Sequence, residues 1–280
     1  MKEIIVAVDF SESSVNSIEH ALTIAEKARS NVTMLWVNKH GTSETLIGEK
    51  DDEHVSEVVS KFEEFIEKYK SYLSTSKLSY KIRNGKVYSE IIKETEEQKA
   101  ELLVIGTHGS SGFEQFWIGS DANKIIANTD CPVITIREGI DIGRNLDRII
   151  LPFDFSMETL QKVGITIKMA DYFNAEVHVL EMFTTDGRFD QYKVSGYADM
   201  AEKHLNRFGI KFVRESVRND NPTKGAIEYA EKIDANLMVI MTDQVKSTKN
   251  LWFGSYAQQM VNQSPIPVLS VSSKDVYSIK

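Results

Sequence analysis

Short apolar runs alternate along this chain with longer stretches in which apolar residues recur at three- and four-residue steps. The runs near 3–8, 32–37, 79–83, 101–105 and 132–136 predict five strands, apolar enough to be covered on both faces as in a parallel sheet. Residues 55–73 place Val55, Val58, Val59, Phe62, Phe65, Ile66, Tyr69, Tyr72 and Leu73 on one stripe, which predicts a helix laid against that sheet. A first helix over about 13–29 has Ser11 or Ser13 as its N-cap, and a last one over about 120–128 follows Gly119 and Ser120. Strands joined by helical crossovers define an α/β fold, in which ligands bind outside the carboxyl ends of the strands, where the helix N-termini supply amide donors.

The pattern occurs twice. Residues 4–14 (IIVAVDFSESS) and 149–159 (IILPFDFSMET) match at five of eleven positions with a spacing of 145, so Asp9 pairs with Asp154. Residues 102–136 align with 237–271 at a spacing of 135 and match at 10 of 35 positions. The polar, glycine-containing stretch 138–147 (EGIDIGRNLD) interrupts the apolar pattern between them. The expected organisation is therefore two tandem doubly wound, Rossmann-like domains, 1–140 and 146–280, each with a five-stranded, mostly parallel sheet. So short a linker predicts that the halves pack together as a pseudo-twofold pair through segments 132–136 and 267–271. Further self-association into a homodimer is compatible with that pairing.

Composition narrows the function. The 280 residues exceed one typical domain of roughly 100–200 residues, and 41% hydrophobic with 26% charged residues is an ordinary globular balance. A net charge of −8 without a dense lysine stripe argues against nucleic-acid binding. No apolar run approaches the roughly 18–20 residues of a membrane span. One cysteine, Cys131, fits a reducing compartment, so the expected location is the cytoplasm; its place before Pro132 reads as a small buried hydrophobe.

The candidate chemistry lies in Gly106-Thr-His-Gly109-Ser-Ser-Gly112, followed by Gly119-Ser120. This stretch leaves a buried strand and enters a helix, the place where phosphates sit: glycines admit an anion to the backbone amides, and Ser120 with the first helical turn can complete the nest. His108 lies among the glycines and either touches the bound ligand or is an exposed loop histidine. Asp9, closing the first strand, can meet a ligand or can cap its own turn. The other histidines are too scattered for a metal site.

Gly106-x2-Gly109-x9-Gly119-Ser120, together with Asp9, resembles the nucleotide-binding signature of the universal stress proteins, and the likeness covers both halves. The resemblance implies a five-stranded parallel domain of the adenine nucleotide alpha hydrolase-like type, pairing of domains through their last strands, and ATP binding. Carried over, Asp9 meets the adenine, Val37 offers backbone contacts to it, and Gly106, Gly109, Gly119 and Ser120 surround the ribose and phosphates; ATP can bring Mg²⁺ with it. It also implies a stress-responsive binding or regulatory protein, whose protein partner the sequence does not name. Asp121 departs from the expected setting, because a carboxylate in the first turn competes with phosphates. It either turns away, helps hold a phosphate-bound cation, or lowers affinity.

The second copy keeps Asp154 and Gly254-Ser255 but carries Met241 and Gln244 where the first has Gly106 and Gly109, and its loop brings Lys246 and Lys249. It is expected to retain the fold without the ATP site. A slow ATP hydrolase or adenylating enzyme is the enzymatic alternative, but neither a G-x-x-x-x-G-K-[ST] loop nor a G-x-S-x-G elbow is present. A nucleotide-free partner-binding protein is the third reading.

Overall fold

The computed structural model describes residues 1–39, 49–107, 119–137, 145–183, 188–242 and 255–273. The first half runs β1 (Glu3–Ala7), α1 (Glu12–Ala28), β2 (Asn31–Asn38), α2 (Glu49–Tyr69), β3 (Leu78–Asn84), α3 (Val87–Glu97), β4 (Leu102–Gly106), α4 (Ser120–Asn128) and β5 (Val133–Ile136). The second repeats it: β6 (Arg148–Phe153), α5 (Val163–Phe173), β7 (Glu176–Phe183), α6 (Arg188–Arg207), β8 (Phe212–Arg218), α7 (Pro222–Lys232), β9 (Leu237–Thr242), α8 (Ser255–Gln263) and β10 (Val268–Ser272).

The five strands expected in the first half form within a residue or so of their predicted limits, and the last helix occupies 120–128. Ser11, not Ser13, caps α1: its side chain accepts from the Ser14 amide, and Ser13 is already helical. The helix expected at 55–73 starts earlier, at Glu49, and tightens into a 3-10 turn over Lys70–Tyr72.

Among the described residues all strands belong to one ten-stranded sheet in the order β3-β2-β1-β4-β5-β10-β9-β6-β7-β8. Within each half the neighbours are parallel. At the seam, β5 and β10 run antiparallel, with Val268 opposite Thr135, Leu269 opposite Ile134 and Ser270 opposite Val133. The last strands therefore join the halves, as the sequence pattern predicts. Joining them buries what would otherwise be two apolar edges, while the outer edges β3 and β8 carry charged side chains such as Lys81, Arg83, Arg214 and Arg218, which disfavour edge pairing.

Two apolar cores sandwich the sheet, and each runs unbroken across both halves. One gathers α1, α2, α5 and α6 through residues such as Leu22, Phe62, Met169 and Leu205. The other gathers α3, α4, α7 and α8 through Ile91, Ile125, Tyr229 and Met260. This division follows from the strand order. Successive crossovers after β1 and β2 move outward along one face, and those after β3 and β4 return along the other, so the winding direction reverses between β1 and β4. The equivalent reversal in the second half falls between β6 and β9. No helix among the described residues is long and apolar enough to cross a membrane.

Candidate functional site

The crevice at the first reversal is built from the carboxyl ends of β1, β2 and β4 and the N-termini of α1 and α4. Asp9 follows β1, and its Oδ1 accepts hydrogen bonds from the Ser11 amide at 3.0 Å and the Ser11 hydroxyl at 2.5 Å. Between them Phe10 sits in the left-handed region at φ 62°, an uncommon conformation for an aromatic residue. Its ring packs 5.1 Å from Phe62 and 5.9 Å from Phe65 on α2. The turn thus wraps the Asp9 carboxylate onto the cap of α1 while anchoring itself in the core. Val37 is buried and stands two residues past Leu35, the last β2 residue paired with β1, so its main chain extends beyond the ladder at the crevice end.

Gly106 ends β4, and the space a Cβ would occupy there is taken by Ser13: its Oγ would lie 2.6 Å away, its Cβ 3.1 Å and its carbonyl carbon 3.3 Å. The first turn of α1 therefore rests directly on the end of β4. Ser13 Oγ lies 3.2 Å from Ser11 Oγ, which links this contact to Asp9. Beyond Gly106, the Thr107 amide bonds to the Ile136 carbonyl at 2.9 Å, and the Thr107 carbonyl accepts from the Gly119 amide at 2.8 Å. The chain that departs after Thr107 is thereby tied to the start of α4. Gly119 is the N-cap of α4 and, having no side chain, brings no side-chain oxygen to the first-turn amides. Ser120 is exposed in that turn and Asp121 half-buried beside it.

Of the sequence-predicted site, Asp9, Val37, Gly106, Gly119 and Ser120 come together at this one crevice. His108 and Gly109 lie outside the described residues. Sequence reasoning missed Ser13, whose importance rests on a partner 93 positions away; the signal available was that the second copy changes both members together, with Glu158 and Met241 at the aligned positions.

The second crevice keeps one half of this construction. Asp154 Oδ1 accepts from the Ser156 amide at 2.8 Å and the Ser156 hydroxyl at 2.5 Å, the same turn as at Asp9. After it, however, the chain makes only a 3-10 turn over Met157–Leu160, and α5 begins at Val163. Met241, at the place of Gly106, is buried in the apolar core of that face. Lys162 is buried as well, its ammonium donating to Thr159 Oγ1 at 2.9 Å and lying 5.2 Å from the Phe153 ring centre. Gln244, Lys246, Lys249 and Gly254 lie outside the described residues.

Cys131 is half-buried instead of enclosed: its thiol donates to the Ala100 carbonyl at 3.3 Å and it lines a cleft of about 540 Å³ with Lys99, Glu101, Asp130 and Lys168. Among the described residues no three His, Cys, Asp or Glu side chains gather as a metal site.

A doubly wound pair of domains with a crevice at each reversal of the winding defines the class. Comparison with known proteins makes it specific: the universal stress protein family matches residues 1–137 and again 145–272. The chain belongs to that family, as a tandem of two such domains. It is 29% identical over 140 residues to a universal stress protein of Methanocaldococcus jannaschii, covering 49% of this chain and 82% of the relative. It is 25% identical over 145 residues to universal stress protein YxiE of Bacillus subtilis, covering 48% and 98%. Over its whole length it is similar in fold to a universal stress protein of Archaeoglobus fulgidus, with a TM-score of 0.75, 19% identity and coverage of 97% and 98%.

Proposed function

We propose that this universal stress protein binds one ATP per chain, in the crevice of the first domain, and acts by nucleotide-dependent assembly or partner contact rather than by turnover. The observation that carries the reading is the contrast between two crevices on one scaffold. Both hold the Asp-x-Ser turn and both keep a Gly-Ser pair before the last helix in sequence, but the first ends its strand with Gly106 whereas the second fills the aligned position with buried Met241.

In this reading the α4 amides and Ser120 hold the phosphates, and Asp9 and the Val37 main chain hold the adenosine end. Gly109 is assigned to admit the phosphate chain to the backbone, and His108 to contact the ribose or phosphates. A magnesium ion travels with the phosphates, with Asp121 the nearest carboxylate on α4 to meet it. The second copy carries Met241 and Gln244 at the positions aligned with Gly106 and Gly109. Each lost amide–phosphate bond costs about 1.5–3 kcal/mol, a fall in affinity of roughly 10–10²-fold per bond.

Calorimetric titration of nucleotide-stripped protein tests this: one ATP per chain is expected, and Gly109→Val, which adds bulk where the phosphates approach, should abolish the tight site in a folded protein. Two equivalent sites, or a site untouched by Gly109→Val, would overturn the assignment. Absence of binding would overturn the function.

A further inference from the structure

We propose that Gly106, the first glycine of the signature, is a positioning residue that serves the nucleotide through α1 rather than by touching it. The inference rests on the nucleotide reading above and assigns the glycine a different role within it. Any side chain at position 106 would meet Ser13 Oγ at 2.6 Å, Ser13 Cβ at 3.1 Å and the Ser13 backbone at 3.3 Å, so the demand for glycine comes from the protein itself. The Ser13 hydroxyl can rotate aside, but relief of the Cβ and backbone contacts requires α1 to back away from the end of β4 by a few tenths of an ångström. Ser11 both caps α1 and holds the Asp9 carboxylate through its amide and hydroxyl, so a displaced first turn carries Asp9 with it.

The second domain shows the alternative packing in the same molecule. There the residue at the strand end is Met241, the first turn is 3-10, and the regular helix starts only at Val163. Glycine with an immediate helix, and methionine with a delayed one, are two solutions to one packing problem. Only the first brings a helix start against the switch point.

The test is a cycle of four full-length proteins: wild type, Gly106→Ala, Ser13→Gly and the double variant, which clears both the Oγ and Cβ contacts. Thermal unfolding without nucleotide and ATP affinity are measured on each. Gly106→Ala should lower Tm by about 3 °C or more and weaken ATP about tenfold or more. The double variant should recover both relative to the sum of the single changes. Recovery of Tm with affinity still lost would show that Gly106 meets the ligand directly and would overturn the inference, as would an unchanged Tm in Gly106→Ala. Should wild type bind no ATP, the nucleotide reading fails on its own, and the unfolding cycle still decides whether Gly106 seats Ser13.

Discussion

Glu94 and Tyr229 occupy the same station, 135 residues apart on α3 and α7, and each is buried against its own half of the sheet by a different chemistry. Glu94 accepts hydrogen bonds from Lys81 at 2.8 Å, from Gln98 at 3.0 Å and from Arg83, which also holds Glu90 and Glu97. Tyr229 lies 2.8 Å from His178 Nδ1 on β7. Where Arg83 reaches Glu90 in the first half, Val217 packs against Gly225 in the second. One helix–sheet interface is thus ionic in one domain and largely apolar in the other.

Glu94→Ala should destabilise the first domain by about 3 kcal/mol, the low end for breaking a buried ion pair, because Arg83 keeps two carboxylates. Burial works to raise the Glu94 pKa, but the bonds from Lys81, Arg83 and Gln98 outweigh it and hold the carboxyl below its usual range. Its contribution is therefore present above about pH 4.5 and lost as pH falls through the lowered value. Denaturant unfolding of the wild type and Glu94→Ala at pH 7 and pH 3 should show the difference shrinking in acid.

His20 provides the opposite case, a base that burial keeps neutral. Its side chain on α1 is 3% exposed, neither ring nitrogen has a hydrogen-bond partner among the described residues, and desolvation pushes its pKa down to about 4. The unfolded chain takes up the proton near 6.5, so stability is complete above that pH and declines as pH falls toward 4, by ~3 kcal/mol. His20→Leu should flatten unfolding free energy across this window; an unchanged slope would place the acid sensitivity elsewhere.

Gly225 has close neighbours for a different reason from Gly106. An added Cβ would meet Val217 Cγ1 at 2.8 Å and Asn219 Cβ at 2.9 Å. Overpacking costs about 1–3 kcal/mol, against a helix-propensity gain of about 1 kcal/mol for alanine. Gly225→Ala should therefore lose about 1 kcal/mol in the second domain, and Val217→Ala should recover only part of it in combination, because the Asn219 Cβ contact remains. ATP titration into the first domain should not change.

Separating the halves should expose β5 and β10, whose residues are buried in the intact chain. Residues 1–137 and 145–280 expressed alone should self-associate or unfold at lower temperature, read by light scattering and calorimetry. Halves that stay monomeric and as stable as the whole would show that the seam contributes little.

Much of this architecture was legible from the chain. The apolar run at 132–136 and its repeat at 267–271 anticipated the seam, because a strand buried on both faces leaves a continuous hydrophobic signature. The repeat of Asp9 and Asp154 anticipated a shared turn, though not that both carboxylates spend an oxygen on a serine two residues later. Close approaches escaped sequence reasoning. Ser13 over Gly106, Val217 over Gly225 and Lys162 beneath Phe153 are set by contacts between distant segments, and nothing in local spacing records them. His20 shows the same limit, since its place on the buried face of α1 follows periodicity but its unpaired nitrogens do not.

The antiparallel seam has a consequence for the whole molecule. Because β5 and β10 run in opposite directions and each half is parallel to its own last strand, the two crevices open at opposite ends of the sheet. A body docked over the first leaves the second in free solvent on the far side. The chain is thus two-ended: the crevice that carries Gly106 and the crevice that carries Met241 face away from each other, so whatever meets one is held apart from the other by the sheet between them.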